Sequence, residues 1–94
     1  MHWVEIIGVR IASSTDAAKV ERLFRDIRKN VAAGTDGLMR VVIYRDNLLE
    51  SDWAVHLYRE TDAPPPGRTW LGTKLADEVR RIALVDHSIW IEET

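Results

Sequence analysis

Hydrophobic and polar positions along the chain change period several times, and each change marks an element. From Trp3 to Ile11 the residues are dense in Ile and Val without a helical period, and Gly8 interrupts them, which predicts a central strand buried on both faces. Ser13, Ser14, Thr15 and Asp16 offer N-cap oxygens. After them Val20, Leu23, Phe24, Ile27 and Val31 recur at i, i+3, i+4, i+7 and i+11, one apolar stripe on a helix of about four turns. Ala33-Gly34 and Asp36-Gly37 are expected to end it, because a helix terminus and a turn both use the left-handed conformation that glycine adopts freely.

Leu38 to Arg45 and Trp53 to Arg59 are β-rich runs joined by an acidic connection through Asp46 and Asn47 to Asp52, the layout of a hairpin. Alternation places Met39, Val41 and Ile43, then Trp53, Val55 and Leu57, on one face. Arg40, Val42 and Tyr44, then Ala54, His56 and Tyr58, fall on the other. Pro64-Pro65-Pro66-Gly67 predicts a stiff surface loop, since three successive prolines lack donors and hold φ fixed. Leu71, Leu75, Val79, Ile82 and Ala83 then return to helical spacing, and Ser88 to Glu92 alternates as a closing strand with Ile89 and Ile91 on one side.

Strand, helix, two strands, helix, strand is the order of a ferredoxin-like βαββαβ sandwich, an α+β fold with two helices on one face of a four-stranded antiparallel sheet. The second sheet face would carry Val42, Tyr44, Ala54, Tyr58 and Trp90 among Arg40, His56 and Ser88. Which parity of the first strand joins them is open. A face so rich in aromatic residues is poorly suited to water, so burial against a second copy of the chain is expected.

Composition narrows the function classes. Ninety-four residues predict one domain over 1–94, and 46% hydrophobic with 30% charged residues describes a soluble globular chain. No stretch approaches the roughly 20 apolar residues of a membrane span. The start Met-His-Trp-Val-Glu has no basic region before an apolar run, so a cytoplasmic location without membrane association is expected. The absence of cysteine excludes disulfides, thiolate nucleophiles and cysteine-ligated metal centres. A net charge of −2 gives no global attraction to nucleic acid. The strand Asp52-Trp53-Ala54-Val55-His56-Leu57-Tyr58 also lacks the basic-glycine opening and the second stacking aromatic of an RNA-binding motif, so no nucleic-acid partner is expected.

Motif-level chemistry is sparse. Gly67-Arg68-Thr69-Trp70-Leu71-Gly72-Thr73-Lys74 spaces its glycines like a P-loop but puts Thr73 before Lys74 and lacks the preceding strand. His2, His56 and His87 lie on different elements without metal-ligand spacing, so no metal and no cofactor is expected; His87 is placed at a strand entrance. His56, in mid-strand, is the candidate general base, because a half-buried imidazole titrates near neutral pH. Burial in a dimer interface is its plainer alternative. Tyr44, Tyr58 and Trp70 are the candidate substrate-binding groups, Trp70 because it follows a loop, lies off the centre of the second apolar stripe and could wall a cleft between helix and sheet.

The element order, the strand from Trp53 to Tyr58, the loop into a second amphipathic helix and the short last strand resemble the dimeric α+β barrel superfamily, and within it the antibiotic biosynthesis monooxygenase-like domains. The resemblance covers nearly the whole chain. It implies a homodimer with sheets face to face and, in many members, oxygenation of phenolic or polycyclic substrates without metal or flavin in a cleft between helices and sheet. The stretch Leu71 to Ala83 holds no histidine where that family's pattern expects one, and the first strand has no asparagine for the set found in haem-degrading members, so no catalytic residue carries over. Two readings stand: a monooxygenase-like enzyme acting on a small aromatic substrate, and a non-catalytic ligand-binding or dimerisation module.

Overall fold

The computed structural model describes residues 1–30 and 35–93. Its elements run β1 (His2–Arg10), α1 (Ser14–Asn30), a short 3-10 turn (Thr35–Gly37), β2 (Leu38–Arg45), β3 (Asp52–Glu60), α2 (Trp70–Arg80) and β4 (Leu84–Ile91). The strands form one antiparallel sheet in the order β2-β3-β1-β4. This is the ferredoxin-like βαββαβ sandwich that the periodicities predict. Val31 of the predicted helix stripe and the predicted stop at Ala33-Gly34 fall outside the described residues. Asp36 and Gly37 do make the expected left-handed turn, at φ 51° and 76°.

Both helices bury their stripes on the same face of the sheet. Val20 and Phe24 of α1 and Leu75, Ala76 and Val79 of α2 meet Ile7, Val9, Val55 and Leu57 in one core. Phe24 also packs on Trp53, ring centroids 5.8 Å apart. Burying these aliphatic and aromatic side chains contributes about 1.5–3 kcal/mol each, the main force holding helices to sheet.

Several expectations need correction. Strand β1 is not buried on both faces: Trp3, Glu5, Ile7 and Val9 are covered, whereas Val4, Ile6 and Gly8 are half-exposed, because the helices supply cover on one side only. Those three residues settle the open parity and join the second face. Met39 does not point into the core. The register between β2 and β3 shifts between Leu38 and Arg40, so the extra residue Met39 is turned out and Leu38 takes the buried position opposite Arg59. His87 is not at a strand entrance; β4 begins at Leu84, which puts His87 mid-strand opposite Ile7 and buried.

The second face is otherwise as predicted. Arg40, Tyr58, Val4 and Trp90 form one row across the four strands, and Val42, His56, Ile6 and Ser88 the next. Among the described residues no helix covers these rows.

Candidate functional site

Two places combine chemistry with space, one on each side of the sheet. Beneath the start of α2 lies a charged cluster whose ionisable side chains are buried. Glu5 is wholly buried because its parity on β1 is that of Trp3 and Ile7. Its carboxylate accepts four hydrogen bonds: from the Thr69 amide (3.1 Å) and hydroxyl (2.6 Å), from Arg59 Nη2 (3.3 Å), and from His87 Nε2 (2.7 Å) when that nitrogen carries the proton. Arg59 reaches it from β3, donates also to Thr69 Oγ1 (3.1 Å) and to the Asp36 carbonyl (3.4 Å), and lays its guanidinium over Trp3, 5.3 Å from the ring centroid.

The cluster explains where α2 begins. Thr69 is its N-cap, with the side chain accepting from the Gly72 amide at 3.0 Å, so one hydroxyl joins the helix start to the buried ions. Gly72 is needed for a steric reason. A Cβ there would fall on the Glu5 carboxylate, so the helix can approach the charge only where no side chain intervenes.

Above this floor opens a cleft of about 440 Å³ between the proline loop, the start of β1 and the first turn of α2. Trp3, Pro64, Pro65, Pro66 and Trp70 are its apolar walls, and Asp36, Thr61, Arg68 and Thr69 its polar ones. That volume suits a ligand of two or three fused rings. Trp3 is fixed by its indole N–H on Thr61 Oγ1 at 2.8 Å, and Thr61 in turn donates to the Ala63 carbonyl at 2.7 Å, which ties the loop down. Trp70 stands at the mouth, 73% exposed, with Lys74 Nζ 4.9 Å from its centroid.

On the open sheet face Tyr44, His56 and Tyr58 meet. The two phenol oxygens are 3.1 Å apart, His56 Nδ1 is 3.3 Å from the Tyr58 oxygen, and the Tyr44 and His56 rings touch edge to face at 4.5 Å. Arg40 lies 4.5 Å above the Tyr58 ring. Desolvation lowers the His56 pKa from 6.5, leaving the imidazole neutral at neutral pH. The Tyr58 pKa is raised from 10.0, chiefly by its hydrogen bond with Tyr44, with burial adding to the rise and Arg40 opposing it.

The structure thus brings three of the four sequence candidates together and separates the fourth: Trp70 belongs to the helix-side cleft, across the sheet from Tyr44, His56 and Tyr58. The sequence alone does not mark Glu5 and Arg59, and it offers His87 only as a histidine at a strand entrance. Their signal was parity, since each shares the alternation of residues that face the helices. Among the described residues no three His, Asp or Glu side chains converge as metal ligands, and no helix is long and apolar enough to cross a membrane.

No family model matches the chain, and no curated protein matches it. Among solved structures it is similar to a single-site variant of SnoaB, a cofactor-independent oxygenase from Streptomyces nogalater, with a TM-score of 0.71 over 99% of this chain and 94% of that one, at 12% identity. At that identity the likeness is one of fold, and the fold is the one that the sequence resemblance implied.

Proposed function

We propose that this protein is a homodimeric barrel that binds a small planar aromatic molecule in the cleft under the proline loop and oxygenates it without a cofactor. The cleft carries the reading: a preformed hollow of about 440 Å³ with Trp3, Trp70 and three prolines as walls, set in a fold shared end to end with a cofactor-independent oxygenase. Folds of this class are typically dimeric, and the uncovered rows through Tyr58 and His56 are the surface that a second sheet would cover. Such pairing buries the sheet face and leaves the helix-side cleft open to ligand.

The chemistry asks little of the protein. An electron-rich ring that has released a proton to solvent passes an electron to dioxygen, the two radicals combine as a peroxide that takes a proton back, and loss of water converts a ring methylene into a carbonyl. One oxygen atom stays in the product and the other leaves as water, so no external reductant is consumed. Apolar walls keep competing water away and hold the ring in place.

A second reading sets the chemistry on the sheet face, with His56 as base and Tyr58 and Tyr44 orienting the substrate. The neutral imidazole in hydrogen-bond reach of a phenol favours it. Oxygen uptake with a polycyclic phenol separates the readings. Activity lost about 10²-fold in His56→Ala, the scale of a missing general base, supports the sheet face. Activity kept in His56→Ala but lost in Trp70→Ala supports the cleft. Saturable binding with no oxygen uptake in the parent protein identifies a non-catalytic module.

A further inference from the structure

We infer that two copies of the chain interlock through a hollow beside Gly8, and that the side chain seated in it is the partner's Trp90. This deepens the reading of the sheet face as the dimer surface and rests on it. Gly8 is the first ground. It lies within a central strand, where glycine weakens a sheet and marks a positive φ, a bulge or the close approach of another group. The first two do not apply: its φ is not positive, and the register runs unbroken through it, opposite Ala54 on β3 and Asp86 on β4. Its own chain does not crowd it either. A Cβ there would sit 3.7 Å from Asp86 Cβ, in ordinary contact. What remains is a group arriving from outside.

The second ground is the relief of the face. The row Tyr44, Ala54, Gly8 and Asp86 is small at its centre, and beside Gly8 a hollow of about 330 Å³ opens between β1 and β4. Arg10, Asp52, Leu84 and Asp86, all with the parity of the open face, form its rim, and the Arg10–Asp52 ion pair at 3.1 Å closes one side. The row towards the other end, Arg40, Tyr58, Val4 and Trp90, is large. Trp90 stands 62% exposed with its indole N–H on Ser88 Oγ at 2.9 Å, a knob already held in place and with little rotamer freedom left to lose on docking. One symmetry brings knob and hollow together. A two-fold axis lying across the strands along the middle row, Val42, His56, Ile6 and Ser88, sets β4 on its own copy with the direction reversed. Position 90, two residues beyond Ser88, then comes over position 86, two residues before it. Neighbouring strands are about 4.8 Å apart, so the indole reaches the space between Asp86 and Gly8. The same rotation puts Tyr58 over the partner's Ala54, and every contact occurs twice. Four strands of eight or nine residues give a face of roughly 19 by 26 Å, or about 1,000 Å² counted over both copies, a size at which a specific interface needs close complementarity.

Sedimentation equilibrium of the parent, Gly8→Leu, Trp90→Ala and the double variant tests this. The parent should be a particle of twice 10.8 kDa. Gly8→Leu fills the hollow from below and Trp90→Ala removes the knob, so each should weaken the dimer about 100-fold. Combined, the leucine takes the space that the indole leaves, and the affinity should return to within about tenfold of the parent. Both positions lie on the open face of one copy, so far-UV circular dichroism should match the parent in every variant. A Gly8→Leu protein as tightly paired as the parent, or losses that simply add in the double variant, would overturn the inference; if Tyr58→Asp still splits that dimer, the sheet face remains the dimer surface. Where Gly8→Leu fails to fold, full affinity in Trp90→Ala overturns the inference on its own. A parent that sediments at 10.8 kDa at every concentration leaves the hollow to another occupant and removes the dimer reading itself.

Discussion

Replacing Glu5 with Gln keeps the shape of the most buried side chain in the charged cluster and removes its charge. The structure sets the size of the effect. Arg59 and Glu5 are both fully buried, so the guanidinium would lose the one carboxylate it has among the described residues with no water to replace it, an arrangement that costs about 3–5 kcal/mol when one partner of a buried pair is removed. The new amide would also turn N–H donors towards the donors that the carboxylate had accepted, Thr69 and Arg59 among them. A domain of this length has about 5–14 kcal/mol in total, so the variant should keep about half to two-thirds of a mid-range stability and melt roughly 15–30 °C lower. Urea unfolding measures the loss directly, with an unchanged m-value required. Adding Arg59→Met should recover much of it, because the stranded charge is then gone. A loss below about 1 kcal/mol in Glu5→Gln, or a double variant as unstable as the sum of the singles, would refute an ionised pair at the floor of the cleft.

Three other expectations follow from particular contacts. Gly72→Ala should destabilise by about 1–2 kcal/mol, since overpacking against Glu5 exceeds the gain of about 1 kcal/mol in helix propensity; a higher melting temperature would contradict the packing. Tyr58→Asp should convert a particle of twice 10.8 kDa into one of 10.8 kDa in light scattering, by placing a carboxylate between the sheets; an unchanged dimer would mean that the pair forms elsewhere. His56 should titrate below 6.5 in an NMR pH series. Its folded-state pKa is depressed, so the unfolded chain binds the proton more readily and stability falls as pH drops through and below 6.5. A midpoint above 6.5 would show a charged partner instead of desolvation.

The element order, the two apolar stripes and the uncovered face could be read from residue spacing, because each depends on contacts within one element. Even the membership of Tyr44, His56 and Tyr58 in one cluster followed from alternation alone. What could not be read depends on residues distant in sequence. The β2 bulge that turns Met39 out is set by pairing with β3, not by anything in Leu38-Met39-Arg40. Glu5 looks like a polar interruption of an apolar strand until Arg59, Thr69 and His87 are brought round it, 54, 64 and 82 positions away. Arg59 has the parity of Trp53, Val55 and Leu57, yet a charge at the end of a strand is ordinarily solvated, and only the burial of its partner reveals otherwise. The sequence places Trp70 beside a loop before the second helix, and the structure puts it on the lining of a cleft; that this cleft and His56 lie on opposite sides of the sheet requires the register of β1.

The four tryptophans stand in three different places: Trp3 and Trp70 in the cleft, Trp53 in the core against Phe24, and Trp90 on the uncovered sheet face. Their indole N–H signals in a two-dimensional NMR spectrum therefore report where an aromatic ligand sits. On titration with naphthalene-2-carboxylate, the signals of Trp70 and Trp3 should move together and saturate with one affinity while that of Trp90 stays in place. Movement of the Trp90 signal with a stationary Trp70 would put the ligand between the sheets and contradict the cleft as the site.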